Sequence, residues 1–97
     1  SGQIALDLDG NLINNNIESE THQVFKNLKA ILEEAELSFK DVLKVSIFLK
    51  DMNDFDKVNA VYSTYFMSDT APARETVQVA KLPKDVNIEI SLIAGKS

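Results

Sequence analysis

The sequence predicts a single α+β domain in which two helices cover one face of a sheet. Three observations carry that expectation. Residues 24–35 and 55–66 repeat apolar side chains at helical spacing. Residues 42–50, 74–80 and 86–94 alternate apolar and polar side chains with a period of two. These stretches follow one another without repeat, linker or low-complexity segment, and a chain of 97 residues holds one core. The domain is therefore read as residues 1–97.

Ile4, Leu6 and Leu8 alternate with Ala5, Asp7 and Asp9, which predicts a short strand ending at the Asp9-Gly10 turn. Leu12 and Ile13 are expected to return as a second strand. Asn15 followed by Glu18 has capping-box spacing, so the first helix is expected to begin there. Val24, Phe25, Leu28, Ile31, Leu32 and Ala35 form its apolar stripe, with Lys26, Asn27, Lys29 and Glu33 on the other side. Glu36 stands where a helix C-terminal glycine is expected, and a left-handed backbone there costs a non-glycine residue on the order of 1 kcal/mol. In the next strand Val45, Ile47 and Leu49 face one way, and Lys44, Ser46, Phe48 and Lys50 the other. Asn53 or Asp54 is expected to cap the second helix, with Phe55, Val58, Asn59, Tyr62, Tyr65 and Phe66 on one broad face. Residues 69–72 read as loop, and two strands, about 74–80 and 86–94, close the chain.

Composition removes several function classes. A hydrophobic fraction of 44% fits a folded domain rather than a disordered one. The chain has no cysteine, so it has no disulfide framework, thiolate nucleophile or thiolate metal site. A net charge of −5 opposes a phosphate backbone, so nucleic acid is not an expected partner. No apolar run approaches the roughly 20 residues that span a bilayer, and Ser1-Gly2-Gln3 has no signal-peptide pattern. A cytoplasmic location, or an organellar one, is expected, without membrane partners.

Two charged residues stand out. Arg74 follows Pro72 at the mouth of a strand, where the stiff chain favours a fixed guanidinium. An arginine fork holds a carboxylate through two parallel hydrogen bonds, which lysine cannot match. Glu89 interrupts the apolar pair Ile88 and Ile90, where neighbours do not solvate its charge. The two strands, joined by a short turn containing Pro83, are expected to be adjacent, and the pair then suggests a small anionic substrate held by Arg74 and acted on through water by Glu89. The structural alternatives are a surface arginine and a strand glutamate paired with Lys81 or Lys84.

Other residues read as structural. Asn59 on the apolar helix face is expected to satisfy backbone groups in the core or at a subunit contact. His22, the one histidine, reads as solvated. Tyr62 and Tyr65 read as core. Asp7, Asp9, Asn11, Asn15 and Glu18 occupy calcium-loop positions, but Leu12 replaces the required glycine and no helix precedes them, so they read as turn formers. No metal site and no phosphate-binding glycine loop is expected. Apolar residues on both faces of the last strands (Val77, Val79, Ile88, Ile90, Leu92, Ile93) predict that the uncovered face packs against copies of the chain.

The blocks Ser1-Gly2-Gln3-Ile4, Asn27-Leu28-Lys29-Ala30, Lys50-Asp51-Met52-Asn53-Asp54-Phe55, Val58-Asn59, Tyr62, Tyr65-Phe66, Pro72-Ala73-Arg74, Val79-Ala80 and Leu82-Pro83-Lys84 resemble the Rid (YjgF-type) reactive intermediate deaminases. The resemblance implies a chorismate-mutase-like α+β fold assembled as a homotrimer through the other sheet face, with sites in the clefts between subunits. It implies hydrolysis of 2-imino acids and their enamines to 2-keto acids and ammonia, without metal or cofactor. It assigns Arg74 to the substrate carboxylate, Glu89 to the attacking water, and Gly2, beside Ser1, to the anion site. Thr76 occupies a position often held by cysteine, and joins the expected substrate-binding residues. The chain begins after the two N-terminal strands usual in the family, whose Gly-Pro-Tyr-Ser-like stretch lines the site. Glu36 and Ser91 also depart from the family pattern. The competing expectations are a regulatory trimer that binds a small anion without turnover, and a chaperone-like binder using an exposed sheet edge.

Overall fold

The computed structural model describes residues 2–66, 69 and 71–96. Its elements are α1 (Ile17–Glu34), β1 (Val42–Leu49), α2 (Phe55–Tyr62), β2 (Ala73–Gln78) and β3 (Ile88–Ala94). The strands form one mixed sheet in the order β2-β1-β3, with β2 parallel and β3 antiparallel to β1. This is the α+β architecture expected.

The first expected strand is not a regular one. Leu6 pairs with Leu12 in a single bridge, Ile13 N–H donates to the Ala5 carbonyl at 2.9 Å, and Gln3 pairs with Ile90 of β3. The Asp7 carboxylate accepts from the N–H groups of Asp9 and Asn11 at 2.9 Å each, tightening the turn instead of leaving those donors for a ladder. Those hydrogen bonds, that of Asn11 first, hold its carboxyl below the usual range. The Asp and Asn run is thus a turn former, as its composition suggests.

Helix α1 begins one residue later than the Asn15 spacing predicts. Asn16 is the cap, and its Oδ1 accepts from Ser19 N–H at 2.8 Å. The helix buries Val24, Phe25, Leu28 and Leu32 against the sheet. Phe25 is the hub of an aromatic cluster: Tyr65 stacks on it at 4.4 Å between centroids, and Tyr62, Phe66 and Phe39 meet it edge-on near 6 Å. His22 departs from its solvated reading: its Nδ1 lies 2.8 Å from the Tyr65 hydroxyl. Burial raises the Tyr65 phenol above its ordinary value.

Strand β1 is the centre of the sheet. Val45, Ile47 and Leu49 are fully enclosed beneath the helices, as their alternation predicts. Neither Asn53 nor Asp54 caps α2 through its side chain; the Asp51 carboxylate accepts from Asn53 N–H and opens a 3-10 turn that leads into the helix. Strand β2 returns parallel after α2, so β1-α2-β2 is a crossover unit.

Strand registers define the face away from the helices. Lys44, Ser46 and Phe48 of β1 align with Ala73, Glu75 and Val77 on one side, and with Ile93, Ser91 and Glu89 on the other. This face is more mixed than the apolar surface expected. Val77 and Ile93 are exposed, but Lys44 and Glu75 form an ion pair at 3.4 Å. The Ser46 hydroxyl, and then Lys44, hold the Glu75 carboxyl below its ordinary value.

Glu36 adopts φ 61, the left-handed backbone expected at this helix end, and the following Leu37 N–H closes on the Leu32 carbonyl at 2.8 Å. Its side chain is exposed, so it gains nothing by packing. Glu36→Gly should raise stability by about 0.5–1 kcal/mol, visible as an increase of a few degrees in the thermal midpoint. An unchanged or lowered midpoint would mean that the turn carries no strain.

Candidate functional site

Arg74 lies on β2, the edge strand, paired in register with Val45. Val45 faces the helices, so the Arg74 side chain is on that side too, against α2. There Asn59 Oδ1 accepts a hydrogen bond from Arg74 Nη1. The guanidinium carbon stands 4.6 Å from the Tyr62 ring centroid and 5.6 Å from that of Phe55. A cation over an aromatic face is held without being neutralised. Asn59, Tyr62, Ser63, Phe66, Ala71, Pro72 and Arg74 line an open cleft of about 530 Å³. Among the described residues the ion pairs are Lys44–Glu75 and Lys50–Asp85, so the Arg74 charge has no carboxylate partner there.

The reading of Asn59 as an amide serving backbone groups is corrected: it is half-buried and serves the arginine. A polar residue on an apolar helix face, four positions after Phe55 and three before Tyr62, was the available signal. Tyr62 is core, as expected, and is also the shelf under Arg74. Burial raises its phenol above the ordinary value, and the Arg74 charge opposes that rise.

Glu89 is half-buried on β3, opposite Phe48, and so on the face away from the helices. Among the described residues it has no lysine partner, neither Lys81 nor Lys84. Gly2 lies against it so closely that a Cβ built on Gly2 would fall inside the Glu89 carboxyl group. Any larger residue here would force the Glu89 side chain to move. The structure thus brings together Gly2 and Glu89, two of the expected site residues, though Gly2 was expected at the anion site rather than at Glu89. Ser1 lies outside the described residues.

The expectation that Arg74 and Glu89 sit on adjacent strands is not met. Successive in sequence, β2 and β3 are separated by β1. The residues opposite them on β1, Val45 and Phe48, are three apart and face opposite ways. Strand spacing then puts the two Cα atoms roughly 14 Å apart within one subunit. Thr76, two residues after Arg74 and on its side of the sheet, has a buried Oγ1 without a hydrogen-bond partner among the described residues. No group of three or more acidic, histidine or cysteine side chains suited to a metal occurs among the described residues. Nor is any described helix long and apolar enough to cross a membrane.

The sequence pattern of the Endoribonuclease L-PSP family matches residues 1–96. The chain belongs to that family, which includes the Rid (YjgF-type) proteins that its motifs resemble. A RutC family protein of Pyrococcus horikoshii is 52% identical over 97 residues, covering 99% of this chain and 76% of the relative. The 2-iminobutanoate/2-iminopropanoate deaminase of Salmonella typhimurium is 45% identical over 96 residues, covering 97% and 75%. The crystal structure of Escherichia coli TdcF with bound serine superposes with a TM-score of 0.91 at 40% identity, covering 100% of this chain and 78% of that one. Family members thus carry names ranging from ribonuclease to deaminase.

Arg74 lowers the Tyr62 pKa against the effect of burial. Arg74→Ala should therefore move the Tyr62 phenol further above its ordinary value, as read by tyrosinate absorbance in a spectrophotometric titration. Unchanged titration would place the guanidinium away from the ring.

Proposed function

We propose that this chain hydrolyses 2-imino acids, such as 2-iminopropanoate and 2-iminobutanoate, and their enamine tautomers to 2-keto acids and ammonia. The observation that carries the proposal is an arginine fixed over a tyrosine at an open cleft, without a carboxylate partner among the described residues. Such a group is prepared to receive a small carboxylate through two charge-assisted hydrogen bonds. The deaminase name of the Salmonella relative and the serine bound to TdcF support a small amino- or imino-acid ligand.

The chemistry asks little beyond positioning. A protonated imine carbon is already electrophilic, so the first step is attack by one water held at the right distance. Glu89 takes the proton that leaves the water as the carbon–oxygen bond forms, giving a tetrahedral amino alcohol. The same proton passes to nitrogen as the carbon–nitrogen bond breaks, and the hydroxyl gives up its own proton in becoming the keto oxygen, so the keto acid leaves together with ammonium. Arg74 holds the carboxylate throughout, and the Thr76 hydroxyl, unpartnered on the same side, is available to the ligand.

Geometry also supports assembly. Arg74 stands on an edge strand on the helix side, and Glu89 on the open face, so one subunit cannot bring them to one substrate. A trimer that covers the open face would place the Glu89 surface of one subunit beside the Arg74 edge of another. Exposed Val77 and Ile93 on that face favour such a contact. The family's endoribonuclease description draws no support from this chain. Its net charge is −5, and its one histidine is tied to Tyr65 and does not line the Arg74 cleft. A second reading, a regulatory trimer that binds a keto acid without turnover, is favoured by the lack of a carboxylate or histidine among the described residues that line that cleft within one subunit.

Glu89→Gln should keep ligand binding and lose turnover by about 10²–10⁴-fold, since the amide keeps its shape but cannot accept the proton. Arg74→Lys should restore little of what Arg74→Ala loses. Both are checked by ammonia release from imine generated in situ by an amino-acid oxidase, beside calorimetric titration with a keto acid. Equal turnover in the wild type and the glutamine variant would put water activation elsewhere. Intact binding with no turnover in either would favour the regulatory reading.

Light scattering at micromolar concentration should give the mass of three chains. A monomeric mass would remove the cleft in which Arg74 and Glu89 meet.

A further inference from the structure

Helix α1 carries two polar side chains, Glu20 and Asn27, seven residues apart and so about two turns apart on one flank. Glu20 is completely buried, and among the described residues it has no ion pair. Its Oε2 accepts from the Asn87 backbone N–H at 2.9 Å, and its Oε1 from Asn87 Nδ2 at 2.8 Å. A carboxylate removed from water without a cation is an expensive way to hold a loop, since a pair of apolar residues would fill the same space at no electrostatic cost. Asn87 is two residues before Glu89, and its carbonyl accepts from Lys50 N–H at 3.0 Å.

Asn27 does the corresponding work at the other end. Its Nδ2 donates to the carbonyls of Ile4 at 3.1 Å and Leu6 at 2.8 Å, while its Oδ1 accepts from Gln23 at 2.9 Å. The segment it holds reaches β3 at Gln3, which exchanges both backbone hydrogen bonds with Ile90 at 2.8 and 3.1 Å. One residue earlier, Gly2 lies on the Glu89 carboxyl. Thus the backbone entering Glu89 and the backbone covering it are fastened to the same helix, by buried Glu20 and half-buried Asn27.

We propose that Glu20 and Asn27 are positioning residues that set the Glu89 carboxyl against Gly2, and so fix where the proton-accepting oxygen stands. This rests on the reading of Glu89 as the group that activates water. Neither residue touches substrate; each acts through the strand or turn that it holds. Arg74 lies across β1 on the other side of the sheet, so carboxylate anchoring should be independent of both.

The test uses Glu20→Ala and Asn27→Ala in the full chain, with two readouts. In imine hydrolysis, kcat should fall on the order of tenfold to a hundredfold, because small misplacements of a reacting group are costly. KM should stay within about twofold, since the anchor is intact. Glu20→Gln should recover most of the kcat: its carbonyl takes the Asn87 N–H, and its amide donates to Asn87 once that side chain is flipped. Amide hydrogen exchange should rise on the order of tenfold at Gln3 and Ile90 in Asn27→Ala and at Asn87 in Glu20→Ala, with Val45 unchanged. Wild-type exchange at these amides in the folded variants would overturn the proposal. So would wild-type kcat, or a kcat loss that Glu20→Gln fails to recover. If an alanine variant does not fold, Asn87→Ala and Asn27→Gln perturb the same two fastenings and are judged alike. Absence of turnover in the wild type would sink imine hydrolysis itself, and the exchange measurements would still decide whether α1 fixes the Gly2–Glu89 contact.

Discussion

Strand β1 is paired on both edges and buried on one face, and the placement of Arg74 and Glu89 follows from that. Its period of two sends Val45, Ile47 and Leu49 under the helices and leaves Ser46 and Phe48 outward. Because β2 and β3 take their registers from β1, the side on which Arg74 and Glu89 emerge is not free to vary. A shift of one residue in either pairing would exchange the buried and open faces of that strand. For β3 that would expose Ile88 and Ile90, both fully buried, and such a slip is strongly opposed.

Much of the fold was legible because burial on one face writes itself into the sequence. The stripes of α1 and α2 and the alternation of β1 identify the helices and the central strand. The left-handed residue at Glu36 was legible too, from its place after the stripe. Less legible was anything decided by local polar competition. Asp7 takes the N–H groups of Asp9 and Asn11, so an alternating segment becomes a turn with single bridges. Asp51 takes the cap that Asn53 or Asp54 was expected to provide. In each case several side chains of similar chemistry lie within reach of the same donors, and spacing alone does not choose among them.

The candidate site residues can be picked out from the sequence, but their arrangement cannot. Arg74 and Glu89 announce themselves by charge in apolar surroundings, but strand order is a long-range property that period-two patterns do not encode. Reading β2 and β3 as neighbours followed from their short connection; the crossover through α2 gives β1 both partners instead. Asn59 was noticed as a polar residue on an apolar face, yet its partner lies 15 positions away and across a loop. Glu20 was missed altogether, since a carboxylate in the first turn of a helix is ordinarily a solvated one placed to suit the helix dipole.

Keeping the two charges apart within a subunit has a physical consequence. A guanidinium facing its own carboxylate would form an ion pair that a substrate must break, and the arginine would be spent on it. Here aromatic rings and an amide orient Arg74 and leave its charge available. Glu89, for its part, rests on a glycine and has no cationic partner among the described residues. On the proposed reading, an anchor that must stay cationic and a base that must accept a proton have opposite needs. Within one subunit the sheet holds them on opposite faces of β1, so in the proposed trimer they would meet only across a cleft between subunits.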